Sequence, residues 1–337
     1  MSKKITVSII GATGYTGLEI LRLIINHPNM ELKFITSASN AGKKISEIFP
    51  HLENVFDMKL TNLSPQAVAE ASDCVFLALP YFEAQKIVPD MIGKTKIIDL
   101  SADFRIQDKS LYKKYYGIDH SFVEGITKFI YGMPEFNKKE IASATNIANP
   151  GCFATSILLA LSPIKELIHH ADILAITGSS GSGKTPSAST HHAVRNHNVK
   201  SYKIGTHQHI AEVVENLEIS TNQLTFIPTS GPFTRGIHST AFVTLKTSKP
   251  KAEITSLFEK AYKSQPFVRI KDSVQLADIV GSNFCDIAIH FQEETLVIQS
   301  VIDNLIKGAA GNALQNFNIV FGLDEDVCLN TFSPLYP

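Results

Sequence analysis

Residues 5–17 read Ile5-Thr6-Val7-Ser8-Ile9-Ile10-Gly11-Ala12-Thr13-Gly14-Tyr15-Thr16-Gly17. A mostly β-branched run gives way to glycines spaced G-x-x-G-x-x-G. Leu18, Leu21, Leu23, Ile24 and Ile25 then recur at helical spacing. The pattern is strand, tight turn, helix. Glycine suits a turn this tight, and it lets backbone approach a pyrophosphate. The helix N-terminus adds unpaired N–H groups and a partial positive charge. The first gap is one residue wider than the usual dinucleotide fingerprint, so a purely structural turn is the alternative. Gly11, Thr13, Gly14, Tyr15, Thr16 and Gly17 are the candidate cofactor contacts.

Outward from this unit, residues 32–36, 73–79 and 96–100 read as further strands, with a helical stretch around 82–92. Repeated strand–helix–strand order implies parallel crossovers, and the near-continuous apolar runs fit strands buried on both faces. The first part of the chain is therefore expected to be an α/β, Rossmann-type NAD(P)-binding domain with a parallel sheet. Beyond Gly151 the pattern changes. Residues 152–161 and 252–262 look helical; 173–177, 239–245, 284–290 and 295–302 look like strands; 306–317 looks like a last helix. A second, α+β domain with a largely antiparallel or mixed sheet follows. The expected division is 1–151 plus 308–337 for the dinucleotide domain and 152–307 for the second domain.

The chain has 337 residues, 44% hydrophobic and 19% charged, with 31 Lys+Arg against 32 Asp+Glu, a net charge of −1. That length favours two cores. The neutral balance speaks against nucleic acid or an anionic membrane as partner. No apolar run reaches the roughly 18–20 residues of a membrane span, and the expected location is cytoplasmic. Cys74, Cys152, Cys285 and Cys328 are widely separated, which excludes a disulfide scaffold or a C-x-x-C metal or redox motif. His191, His192 and His197 lack the partners of a metal site, and none is expected.

Cys152 stands apart from the other three. It lies in Asn149-Pro150-Gly151-Cys152-Phe153-Ala154-Thr155. Pro150 keeps Asn149 out of helical geometry, so a helix begins just beyond. A cysteine in a first helical turn is biased toward thiolate, the nucleophilic form. A dinucleotide fold plus a nucleophilic cysteine points to acyl transfer through a thioester and hydride exchange at the same carbon. The loop after the second strand, Ser37-Ala38-Ser39-Asn40-Ala41-Gly42-Lys43-Lys44, holds no carboxylate for an NAD ribose. Ser37, Ser39 and the lysines suit a 2′-phosphate, so NADP (NADPH) is favoured and NAD stays open.

These motifs resemble the N-acetyl-gamma-glutamyl-phosphate reductase family, within the wider class of aspartate-semialdehyde dehydrogenases. The resemblance covers nearly the whole chain. It rests on residues 148–155 with Pro163, on Ile98-Asp99-Leu100-Ser101-Ala102-Asp103-Phe104-Arg105, Tyr131-Gly132-Met133-Pro134-Glu135, Ser179-Ser180-Gly181-Ser182-Gly183-Lys184, His207-Gln208-His209, Phe233-Thr234-Arg235-Gly236-Ile237 and residues 304–312. Ala38, Ser156, Lys184 and Thr229-Ser230 depart from the family pattern.

The resemblance implies NADPH-dependent reduction of an acyl phosphate to a semialdehyde, with Cys152 as nucleophile. His209 is the expected base; His207 and His238 remain alternatives. Arg105 is implied as a phosphate ligand, and Asn149, Lys184, His207 and Arg235 as further substrate contacts. Ser182, Gly183 and Asn312 are the remaining cofactor candidates. The acyl group could be acetyl, succinyl or carrier-linked, and aspartyl phosphate is a more distant option. The resemblance also implies that 152–307 is the catalytic and dimerisation domain of a homo-oligomer, dimer or tetramer. A non-catalytic dinucleotide sensor would be expected to have lost the cysteine and histidines that are present here.

Overall fold

β1 (Ile5–Ile10) lies inside a six-stranded sheet with β2 (Met30–Thr36), β3 (Cys74–Leu77), β4 (Lys96–Asp99), β5 (Ile130–Tyr131) and β6 (Asn146–Ala148). The order is β2-β1-β3-β4-β6-β5 and every pairing is parallel. All four residues of β3 are buried, as expected of a strand covered on both faces. The buried polar side chain of β1, Ser8, is satisfied by Ser72 at 2.8 Å. The helix Tyr15–Ile25 turns Ile20, Leu21, Leu23 and Ile24 inward. The last helix, Gly311–Val320, packs on it and on the Pro134–Ser143 helix.

This computed structural model describes residues 4–293 and 295–330. They divide into two units. One contains residues up to Arg105 with His120–Pro150 and Ala310–Leu329; the other contains Ile106–Asp119 and Gly151–Ala309. Residues 106–119 thus depart from the sequence-based division. Tyr112 is fully buried with Ile106 against Ala211, and the helix Lys109–Tyr116 packs on the helix His209–Leu217. The Glu215 carboxylate also accepts the N–H groups of Gln107 (2.9 and 3.0 Å) and Asp108 (2.6 Å). Residues 331–337, assigned by the sequence to the first domain, lie outside the described residues.

The second unit is built on β7 (Ile168–Thr177), β8 (Lys200–Ser201), β9 (Leu224–Ser230), β10 (Ile237–Leu245), β11 (Val268–Lys271), β12 (Cys285–Gln292) and β13 (Thr295–Ile302), in the order β11-β12-β13-β10-β7-β9-β8. The β11–β12 and β7–β9 pairs are parallel and the other four antiparallel, so the sheet is mixed. Residues 153–161 of the helix Cys152–Leu161 are all buried, and this helix packs on β10 and β13. A segment this apolar, polar beyond its cysteine only at Thr155 and Ser156, has no exposed face to offer.

Two expected helices take a different form. Residues 82–92 give only the turn Ala84–Ile87 and a 3-10 turn Val88–Asp90, because Pro89 interrupts the ladder. The 306–317 stretch begins as a π-helical segment, Ile306–Ala310, before the α-helix. Among the described residues, no helix is long and apolar enough to cross a membrane.

Candidate active site

Cys152 is the first residue of its helix, with Gly151 as an extended N-cap (φ −75, ψ 150), and its side chain is half-buried. The Gly151 N–H donates to Glu212 Oε1 at 2.7 Å, and Glu212 is fully buried. Thr155 returns both its N–H (2.8 Å) and its hydroxyl (3.0 Å) to the Gly151 carbonyl. The turn that carries the sulfur is therefore held at both sides. Gly308 completes the enclosure: a Cβ there would stand 2.8 Å from the Cys152 Cβ. The other cysteines differ. Burial pushes the Cys74 and Cys328 thiols up, and Cys285 is buried in β12.

The helix carrying His209 packs on the Cys152 helix. His207 Nδ1 accepts the His209 N–H at 3.1 Å, and the two rings meet edge-on at 4.7 Å. The His207 ring is boxed by Phe153 (5.5 Å), Phe226 (5.5 Å) and Tyr202 (5.9 Å). Desolvation, then repulsion from His209 and Lys203, pushes its pKa down to about 2. His207 is therefore neutral, and it holds the backbone at the entrance of the next helix. His209, also buried, borders Phe153 at 6.0 Å. His238 lies half-buried within β10, where desolvation lowers its pKa.

In the first unit the glycines divide by role. Gly11 has φ +91, and a Cβ there would meet the Ala78 carbonyl at 2.3 Å. At Gly17 a Cβ would meet the Gly11 carbonyl at 2.4 Å. Gly14 is different: a Cβ there would approach only the Gly11 carbonyl, at 3.9 Å. Gly14 is the N-cap of the helix, and the N–H groups of the first turn that follows have no intrahelical partners. This cradle fits a pyrophosphate. Thr13 and Ser37 hydroxyls pair at 3.2 Å, which ties the turn to the end of β2. Ser39 is exposed and accepts Asn40 Nδ2 at 3.0 Å. Lys44 is paired with Asp57 at 2.5 Å on the surface.

Arg105 is buried and donates to the Leu100 carbonyl at 3.0 Å. Its segment crosses Ala102 at φ +94, a strained conformation for a residue with a Cβ. Asp99 sits at the base of the segment, bonded to Ser101, and its carboxyl is pushed up to about 7 by burial and then by Asp103.

Several other predicted residues have partners or surroundings the sequence did not indicate. Asn312 is fully buried, and its Nδ2 donates to the Gly132 carbonyl (2.7 Å) and to Asn149 Oδ1 (3.0 Å). Asn316 repeats both bonds at 2.8 and 3.1 Å. Asn312 thus holds Asn149 in place through Nδ2. Arg235 grips the buried Asp303 in a two-point ion pair (3.0 and 3.2 Å), so its charge is already compensated. Asp303 also takes the N–H groups of Gly281, Leu305 and Ile306. Ser182, Gly183 and Lys184 lie on an exposed loop, where Ser182 accepts from Arg195 at 3.2 Å. The sequence reading assigned no role to Asp303 or to Glu212 as partner of Gly151; both contacts are long-range.

Residues 6–144 match the family model described as semialdehyde dehydrogenase, NAD binding domain, and residues 152–304 match semialdehyde dehydrogenase, dimerisation domain. A curated N-acetyl-gamma-glutamyl-phosphate reductase from Methanocaldococcus jannaschii is 43% identical over 96% of this chain and 99% of its own. One from Dehalococcoides mccartyi is 40% identical over 99% of both. The chain belongs to the N-acetyl-gamma-glutamyl-phosphate reductase family. Among solved structures, aspartate semialdehyde dehydrogenase II from Vibrio cholerae shares the fold, with a TM-score of 0.71 at 17% identity over 95% of this chain and 99% of that one.

For this reductase-family chain the enclosure at Cys152 gives a direct expectation. Gly308→Ala forces a Cβ against Cys152 and should lower kcat/KM by about 10²-fold, the cost of displacing a reacting group by ~1 Å. Steady-state kinetics beside a melting curve would test it; unchanged kcat/KM would contradict the enclosure.

The neutral His207 gives a second expectation. Its folded pKa of about 2 lies below the ordinary 6.5, so the unfolded chain binds this proton first. Its contribution to stability is complete above 6.5 and declines as pH falls below that value. Asp99, shifted upward, acts in the opposite direction between 3.8 and about 7. The difference between wild type and His207→Asn isolates the histidine. Wild type should lose more denaturation midpoint than the variant between pH 7 and pH 5.

Proposed function

We propose that this chain reduces N-acetyl-γ-glutamyl phosphate to N-acetylglutamate 5-semialdehyde, releasing phosphate, with NADPH as reductant. The observation that carries it is Cys152 at the head of a buried helix, packed against the helix that begins with His209, in a chain about 40% identical to curated reductases of that name. The first unit is the proposed cofactor-binding part and the second the catalytic and dimerising part, in a homo-oligomer. A thiolate nucleophile needs a reducing compartment, and the cytoplasm is the proposed location.

The Cys152 sulfur attacks the γ-acyl carbon. A C–S bond forms, the bond from that carbon to the bridging oxygen breaks, and inorganic phosphate leaves, giving a thioester. His209 takes the thiol proton at the start and returns a proton to the hemithioacetal oxygen. When bound, NADPH supplies the hydride for the thioester carbon. Collapse of the hemithioacetal breaks the C–S bond and regenerates the cysteine.

Both tetrahedral stages carry an oxyanion that needs donors. The Gly151 N–H is taken by Glu212, so the task falls to the Cys152 and Phe153 amides of the first turn. Gly11, Thr13, Gly14 and the first turn beyond would hold the pyrophosphate. Ser37, at the end of a β2 that closes without a carboxylate, would face the 2′-phosphate. Arg105 is the proposed ligand of the substrate phosphate.

The reverse reaction tests this assignment. Phosphate-dependent reduction of NADP by N-acetylglutamate semialdehyde is expected, with the N-succinyl analogue as comparison. Activity with aspartate semialdehyde alone would overturn the substrate. Ser37→Asp should raise KM for NADPH relative to NADH by about tenfold, the effect of ~1.4 kcal/mol of charge repulsion. An unchanged ratio would remove Ser37 from the cofactor site.

A further inference from the structure

The Cys152 helix is apolar except at Thr155 and Ser156 beyond the cysteine itself. Thr155 bonds within the helix, to Gly151. Ser156 bonds outward. Its Oγ lies 2.6 Å from Ser300 Oγ on β13 and 2.9 Å from Ser239 Oγ on β10. Ser239 and Ser300 are direct cross-strand partners, and all three residues are at most 1% exposed.

The protons can be assigned. Ser300 Oγ donates to the Ser156 carbonyl at 2.9 Å. Ser156 Oγ then donates to Ser300 Oγ, and Ser239 Oγ donates to Ser156 Oγ. Each hydroxyl uses its single proton within the cluster, so the cluster is closed.

We propose that Ser156, with Ser239 and Ser300, is a positioning pin that sets the rotation and axial place of the helix bearing the nucleophile. Apolar burial is non-directional and tolerates small slides of a helix over a sheet. Hydrogen bonds are directional and do not. Ser156 lies four residues beyond Cys152, hence one turn along on the same face. A pin there fixes the turn whose cysteine Gly308 also closes upon. The inference rests on Cys152 being the nucleophile, the reading proposed above.

The test compares the full-length enzyme with the triple variant Ser156→Ala, Ser239→Ala, Ser300→Ala and with Ser239→Ala alone. Removing all three hydroxyls leaves no orphaned partner, so the melting temperature of the triple variant should stay near wild type. Its kcat should fall by about 10- to 100-fold with substrate KM changed less than about twofold, as expected of a displaced reacting group. The pH midpoint for iodoacetamide alkylation of Cys152, followed by mass spectrometry, should move in the same variant. Ser239→Ala, which loses one bond, should shift both readouts in the same direction by less, and it decides the matter if the triple variant does not fold. Wild-type kcat and an unmoved alkylation midpoint in the folded variants would overturn the pin. The alkylation readout does not depend on turnover, and Cys152→Ser tests the catalytic reading separately.

Discussion

Cys152→Ser should abolish reduction of the acyl phosphate, lowering kcat by roughly 10⁴–10⁶-fold, the range seen when a covalent nucleophile is removed. The replacement keeps the size and the hydrogen-bonding capacity of the side chain. The helix start at Gly151, the Glu212 bond and the Gly308 contact should all survive, because none of them uses the sulfur as a required donor. An alcohol is far less acidic than a thiol, and a neighbouring histidine in this arrangement must do correspondingly more to activate it. Melting temperature and cofactor affinity should therefore stay near wild type while turnover disappears. The same loss should appear in single-turnover measurements with radiolabelled acyl phosphate, where wild type accumulates acyl-enzyme and the variant does not. Comparable kcat in the two proteins would remove Cys152 from the mechanism.

His209→Asn is expected to lower kcat by about 10²–10⁴-fold, the usual contribution of a positioned general acid–base group. His207→Asn should cost much less at neutral pH. The two histidines are two residues apart and both buried, yet their chemical positions differ. His207 accepts the backbone N–H of His209 through Nδ1 and sits within three aromatic rings, which hold it neutral. A ring with a pKa of about 2 is a poor acceptor for the thiol proton at pH 7. Combining His209→Asn with Cys152→Ser should cost little beyond Cys152→Ser alone, since residues that act as a unit are not additive. Full additivity, or a larger loss at His207 than at His209, would reassign the base.

Much of the architecture was legible because its causes are local. The first βα unit announces itself through its glycines, and the structure gives each a separate reason: positive φ at Gly11, close packing at Gly17, open space at Gly14. The helix Cys152–Leu161 was predictable at both ends from Pro150-Gly151 before it and Pro163 after it. Three strands were not legible. β5 and β6 span only two and three residues, and β9 contains Pro228, so their existence depends on partners far away in the chain.

The same distinction separates the site residues. Sequence alone determined the glycine turn, the cysteine at a helix start and the paired histidines, because spacing and residue type carry that chemistry. Only the tertiary structure decided which charges are already spent and which groups are silenced. Arg235 is bound by Asp303, 68 residues away, and Lys44 by Asp57. Asn312 is committed to Gly132 and Asn149, 180 and 163 residues away. His207 is neutral because of rings contributed by other elements, and Ser156 meets hydroxyls 83 and 144 residues downstream. Desolvation and hydrogen-bond pairing are set by neighbours in space, and a linear sequence does not say which distant groups those neighbours are.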